Sequence, residues 1–250
     1  MTCTACSTDP LAQPLPTSGP LTKNVDLSLA SLRQRIEKSS DGRAVYPYVV
    51  ASVHYDRGRF GQTGCSPNFQ GGVITLCTCK HLLRTYRRVR KSEGVWIVGV
   101  TGSGLVMRGR HLFYLMFARP FESHAGLWSH LGSRVSQAKS ATRDRLGDMY
   151  EPQTVGLVGD ERFRVSRYRP PIVGHVHRSS ASDHEWERDI DRTYRRGTRP
   201  VLLCCDSRLS FIWTKPQIPL RENANVPLPR NPTKSTSIQH FLRRLAQEGT

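Results

Sequence analysis

Seven short runs of aliphatic, β-branched and aromatic residues dominate the middle of this chain and constrain its fold more than any other feature. They are Tyr46 to His54, Val73 to Cys79, Val95 to Thr101, Leu112 to Ala118, Phe163 to Tyr168, Val201 to Cys205 and Phe211 to Trp213. Such runs suit strands, whose extended backbone gives branched and ring side chains room that a helix denies them. Helical spacing is sparser. It appears at Leu82, Leu83, Tyr86 and Val89, at His124, Leu127, Trp128, Leu131 and Val135, and at Trp186 and Ile190 behind Ser182-Asp183. Strands and helices do not alternate, which argues against a doubly wound parallel sheet. The pattern predicts an α+β fold, a single domain with a curled, mostly antiparallel sheet flanked by helices. Val95 to Thr101 and Leu112 to Ala118, joined through Gly102, Gly104 and Gly109, read as a long hairpin.

The flanks differ in character. Residues 1–24 carry Pro10, Pro14, Pro16 and Pro20 among Ser, Thr and Gln with little aliphatic periodicity, and read as a disordered leader. Residues 25–43 hold Val25, Leu29, Leu32 and Ile36 at helical spacing, with Asp26 as a cap and a stop at Asp41-Gly42, which predicts a peripheral helix and linker. Residues 44–220 form the domain proper. Residues 221–250 read as a Pro-rich linker followed by a short C-terminal helix through Ile238, Phe241, Leu242 and Leu245. At 250 residues and 37% hydrophobic composition the chain can bury one substantial core. No run approaches the ~18 apolar residues of a membrane helix. No membrane partner is expected, and the seven cysteines, odd in number and without framework spacing, fit reduced core residues of a cytoplasmic protein.

Charge points to the partner. The chain has 37 Lys plus Arg against 20 Asp plus Glu, a net +17, and residues 44–220 alone have 27 against 14, a difference of +13. The basic character therefore belongs to the domain, and a polyanion is the expected ligand, DNA or a modified nucleotide first and RNA second. An Arg-rich composition that merely solvates the surface is the alternative.

Three segments have the residue types for chemistry. The loop from Asp56 to Asn68 is too polar and Gly-rich for a core element. Arg57 and Arg59 can neutralise a phosphate there, and Ser66 and Asn68 offer hydrogen bonds to a base or sugar edge. The segment Cys77-Thr78-Cys79-Lys80-His81-Leu82-Leu83-Arg84 runs from strand into helix, and Lys80 and Arg84, four residues apart, share a face near the helix start. Arg87, Arg88 and Arg90 continue the basic face toward a nucleic-acid backbone, with an ordinary solvated face as the alternative. Cys77, Cys79 and His81 alternate as strand ligands would, yet the folded region has no C-x-x-C pair, so no metal and no cofactor are expected. A thiolate at Cys79, beside Lys80, is a candidate nucleophile. The third segment is His175-Val176-His177 with the acidic helix from Asp183 to Asp191; a single helical turn rich in acids also serves the dipole alone. The turn Gly147-Asp148-Met149-Tyr150 presents a carboxylate and a ring.

Taken together these blocks resemble the nucleotide-modification-associated domain family. The matching motifs are the Tyr-Val-Val strand at Tyr48 to Val50, the Asp-x-Gly loop at Asp56 to Gly58, Pro67-Asn68, and Thr75 to Lys80 with Arg84. They continue with Trp96-Ile97-Val98-Gly99, Leu112 to Met116, Gly147-Asp148-x-Tyr150 and Val201 to Phe211. The resemblance spans residues 46–215 and implies a phage or bacterial DNA modification setting in which a modified base is made or recognised. Three positions depart from it. The family's Gly-Asp before the Trp strand is Gly94-Val95, the turn Asn is Met149, and the loop between Asp56 and Pro67 is longer. A role for the missing acid does not carry over. A fold-level echo of the PUA-like superfamily implies a small barrel with a pocket for an unstacked base.

These readings converge on a nucleic-acid-linked protein that binds a nucleotide or modified base in a basic pocket. Arg57, Ser66, Asn68, Lys80, Arg84, Asp148 and Tyr150 would contact the nucleotide or its phosphate, and Arg87, Arg88 and Arg90 the nucleic-acid backbone. The alternatives are an enzyme acting on a nucleobase or its precursor, for which Asp56, Cys79, Asp148 and His177 are the candidates, and a non-specific basic DNA-binding accessory protein.

Overall fold

The computed structural model describes residues 20–37, 43–62, 66–106, 109–140, 147–171, 185–194, 197–221 and 235–246. A six-stranded sheet forms its centre. It is built from β1 (Ala44–Val49), β4 (Thr75–Leu76), β5 (Val95–Val100), β6 (Leu112–Phe121), β7 (Leu202–Ile212) and β8 (Thr236–Ser237), in the order β4-β7-β6-β5-β1-β8. β2 (Val53–Asp56) and β3 (Arg59–Gln62) make a separate antiparallel hairpin. The α+β class holds. The sheet is mixed, because β1 runs parallel to β5, and it is open, with β4 and β8 as its ends, so the expected curled sheet and PUA-like barrel are not what forms. A parallel neighbour needs a long crossover, and the chain between β1 and β5 supplies one through the hairpin, β4, α2 (His81–Thr85) and α3 (Arg87–Arg90).

Every residue of β5 and the first seven of β6 are buried, which explains why these runs do not alternate: both faces of the sheet are covered. One face packs Tyr46, Tyr48, Ile97, Phe113, Met116 and Leu203 against Phe60, Phe69 and Leu83. The other packs Trp96, Val98, Leu115 and Trp213 under α1 (Leu29–Glu37) and α7 (Ile238–Arg243). Gly99 lets the Tyr114 ring lie against β5, since a Cβ there would sit 2.1 Å from that ring. Tyr114 then meets Tyr48, hydroxyl to hydroxyl, at 2.6 Å.

Several boundaries move. Pro20–Asn24 is a 3-10 helix, with Leu21 fully buried and Asn24 Nδ2 donating to the Ser207 carbonyl at 3.1 Å, so the leader reading fails at its last five residues. Burying one leucine contributes about 2 kcal/mol toward ordering this segment, and the Asn24 hydrogen bond adds to it. The segments expected to be peripheral cover the second core instead: Leu29, Leu32, Ile36, Ile238 and Phe241 pack together beneath the sheet. Ser28, not Asp26, accepts from the Ser31 amide at the start of α1, while the Asp26 carboxylate accepts from Thr214 N and Thr214 Oγ1. Val201 to Cys205 and Phe211 to Trp213 belong to one strand, whose polar middle is accommodated where its register to β6 shifts between Met116 and Ala118. Phe163 to Tyr168 is not a strand. It forms 3-10 turns, Gly159–Phe163 and Val165–Arg167, in which Glu161 pairs with Arg164 and Arg167. Among the described residues no helix is long and apolar enough to cross a membrane.

Candidate functional site

Two polar clusters flank the junction between β4 and α2. The first is closed to solvent and centres on Lys139, at the end of α5 (Ser133–Lys139). Its ammonium donates to the Asn68 carbonyl (3.0 Å) and Oδ1 (3.2 Å), the Val73 carbonyl (2.7 Å) and Thr75 Oγ1 (3.1 Å). Thr75 Oγ1 in turn donates to Asp148 Oδ1 at 2.9 Å, and the Cys77 amide donates to Asp148 Oδ2 at 3.1 Å. Burial pushes Asp148 up to about 6 although Lys139 and both hydrogen bonds pull the other way, and burial pushes Lys139 down. Asn68 and Asp148 were expected to read a ligand's polar edges. Both are fully buried, and their partners among the described residues are the protein's own groups.

The second cluster lies under a cleft at the end of the sheet, where β6 stops and β7 starts. α4 (His124–Leu131), capped by Ser123 Oγ accepting from Gly126 N, and α6 (Glu185–Asp191) form its walls. Asp189 Oδ1 accepts from His81 Nε2 at 3.0 Å, and Asp189 Oδ2 from Tyr150 OH at 2.8 Å. Arg192 lies 3.2 Å from His81 Nδ1. A guanidinium can only donate, so Nδ1 is the acceptor and Nε2 carries the hydrogen. Burial pushes His81 down, Asp189 opposes that shift, and the Arg84 and Arg192 charges add to it, so the ring is neutral at pH 7. His124 accepts from the Tyr150 amide through Nδ1 at 3.3 Å, and burial pushes it down to about 3; its Nε2 faces the Asp189 backbone without completing a hydrogen bond.

Arg84 is 1% exposed and donates to the Val201 carbonyl at 3.0 Å, while its Nε and second terminal nitrogen have no partner among the described residues. It therefore does not share an exposed face with Lys80. Lys80 has left-handed backbone (φ 57°) ahead of a helix only five residues long, and its ammonium sits 4.4 Å above the Tyr48 ring. The Tyr150 ring, expected as a stacking face, is buried against His124 and Trp186. Arg57 is exposed at the hairpin tip beside Asp56, away from these clusters, and Ser66 is buried. Arg87, Arg88 and Arg90 are exposed on α3, as either a polyanion contact or an ordinary solvated face would have them. Cys79 is half-buried. His177, and with it His175, lies outside the described residues. Among the described residues no three His, Cys, Asp or Glu side chains group as metal ligands would.

The cleft's basic lining comes from Arg162, Arg192 and Arg199. Arg162 pairs with Glu122 at 2.9 Å. Arg199 donates to the Asp191 carbonyl at 3.0 Å, and its guanidinium lies 4.2 Å over the Phe163 ring, which Arg162 approaches at 5.5 Å. Both carboxylates of the cleft are thus committed, Glu122 to Arg162 and Asp189 to His81 and Tyr150, and neither Arg192 nor Arg199 has an ion-pair partner among the described residues. Sequence reading missed this lining because Arg162 and Arg199 stand 37 positions apart with no shared pattern. The signal present was Asp189 and Arg192 at i,i+3 in the acidic segment, whose candidate chemistry was set against service to the helix dipole.

No family model, curated protein or solved structure matches this chain.

Proposed function

We propose that this is a nucleic-acid-linked protein that binds the phosphate of a nucleotide or modified base in the arginine-lined cleft between α4, α6 and the start of β7. The observation that carries the reading is the charge balance there: Arg192 and Arg199 line a concave site in which each carboxylate is already engaged. Anion recognition by guanidinium forks needs arginines whose charge no carboxylate offsets. The net +17 supports a polyanionic partner, with Arg87, Arg88 and Arg90 on α3 as a separate backbone contact. The modified-base setting rests on the motif resemblance alone.

The test is calorimetry with a deoxynucleotide and with an oligonucleotide across a salt series. Arg192→Ala and Arg199→Ala should each cost nucleotide binding about 1–3 kcal/mol, the loss of a charge-assisted hydrogen bond. The triple change Arg87→Ala, Arg88→Ala, Arg90→Ala should flatten the salt dependence of oligonucleotide binding and spare the nucleotide. Equal losses in both sets would favour a non-specific basic surface and overturn the pocket.

A further inference from the structure

We infer that the cleft selects a terminal, doubly charged phosphate group, and that binding it is coupled to the uptake of one proton by His81. This deepens the phosphate reading above and rests on it. The geometry is a chain of three hydrogen bonds: Tyr150 OH to Asp189 Oδ2, His81 Nε2 to Asp189 Oδ1, and Arg192 to His81 Nδ1. Arg192 is the link between this chain and the cleft, because it both lines the cleft and caps Nδ1. An anion in the cleft competes for that guanidinium.

Two consequences follow when the anion wins. His81 Nδ1 loses that donor, and its lone pair then faces incoming negative charge. A proton from solvent adds to Nδ1, one N–H bond forms, and the imidazolium donates toward the anion while Nε2–H stays on Asp189. The surrounding charges favour this change only in the bound state. His81 is faced by Arg84 from its own helix, by Asp189 from α6, by Arg192 just beyond the end of α6, and through Asp189 by Tyr150; His124 lies beyond on α4. In the free protein the two arginines oppose a third positive charge, whereas a bound dianion offsets them. A singly charged internal diester offsets half as much, which is why a terminal monoester is the better ligand.

Sulfate is the first probe, since it is a dianion that does not itself titrate near neutral pH. Calorimetry from pH 6 to 8, in buffers of different ionisation enthalpy, should show about one proton taken up per sulfate and an affinity that falls toward tenfold per pH unit on the alkaline side. His81→Gln should abolish the proton uptake and the pH dependence yet keep binding that depends on Arg192. If that variant does not fold, imidazole nitrogen NMR of the unaltered protein reads the same event: Nδ1 of His81 should change from unprotonated to protonated on adding sulfate. A deoxynucleoside 5′-monophosphate should bind at least tenfold more tightly than a dinucleoside monophosphate at pH 7, where the monoester is mostly a dianion. Proton uptake that is absent, or that persists in His81→Gln, overturns the coupling while leaving the cleft intact. Equal affinity for the two nucleotides overturns the terminal-phosphate selectivity. Sulfate and nucleotide binding that are undiminished in Arg192→Ala combined with Arg199→Ala overturn the cleft itself.

Discussion

The Lys139 cluster and the His81 cluster are made of similar groups, a buried cation, a buried carboxylate and a hydroxyl, and they differ in how completely those groups are matched. Lys139 has four acceptors within 3.2 Å, and Thr75 relays between it and Asp148 without solvent. In the second cluster Arg84 leaves two nitrogens without partners among the described residues, and Arg192 spends its described hydrogen bond on a neutral ring nitrogen. Of the first network only the Asn68 amide nitrogen lacks a partner among the described residues, and its cation and carboxylate are held by the fold. An incompletely matched one, open along one side, keeps donors in reserve. The two carboxylates that looked alike in the sequence, Asp148 and Asp189, thereby fall into different roles.

Stability measurements break this comparison most directly. Lys139→Met should cost about 3–5 kcal/mol in urea unfolding, because the Val73 and Asn68 carbonyls and the Asp148 carboxylate lose their buried cation. The double change with Asp148→Asn should recover part of that loss. A cost below about 1 kcal/mol would mean that the network is not structural.

Acid sensitivity comes next. His124 is held down to about 3 by burial, against about 6.5 unfolded, so its contribution is present above pH 6.5 and is lost as pH falls toward 3. The slope should be about 1.4 kcal/mol per pH unit, and His124→Phe should flatten it. Asp148 acts with the opposite sign. Held up at about 6, it contributes stability that is complete below about 3.8 and is lost as pH rises through 6. Asp148→Asn should therefore make the acid limb of the stability profile steeper, and an unchanged limb would argue that Asp148 is fully charged in the fold.

The smallest effect on stability should come from the cleft. Arg192→Ala should shift the unfolding free energy by less than about 1 kcal/mol, as a partly exposed side chain with one neutral partner would, while weakening anion binding. A larger shift would make Arg192 part of the scaffold and erase the contrast between the clusters.

The central strands were legible because composition decides them: Val95 to Thr101 and Leu112 to Ala118 are apolar enough to be buried on both faces. Phe163 to Tyr168 has strand-like residues too, but local pairing of Glu161 with Arg164 and Arg167 holds it in turns. Asn68, Asp148 and Tyr150 were legible as unusual, and their inward direction was not, since it depends on where Lys139 and Asp189 arrive from elsewhere in the chain. The direction of the β1–β5 pair was likewise hidden, because a crossover has no residue pattern of its own. The resemblance to a nucleotide-modification family drew attention to the Lys80 to Arg84 segment; the fold turned Arg84 inward and brought His81, between them, to the cleft's foundation.

The pairing of β8 with β1, Ala44 opposite Ser237 and Val45 opposite Thr236, has a consequence for how the protein is made. Synthesis is vectorial, and the strand and helix that cover the Trp96 and Trp213 face are among the last described segments to leave the ribosome. Until Thr236 to Leu245 emerges, the nascent chain presents an uncovered strand edge beside an apolar face, the combination that attracts chaperones and other unfinished chains. Chains released before Thr236 should accumulate in the insoluble fraction, whereas supplying residues 235–250 as a separate peptide during refolding should return part of them to solution.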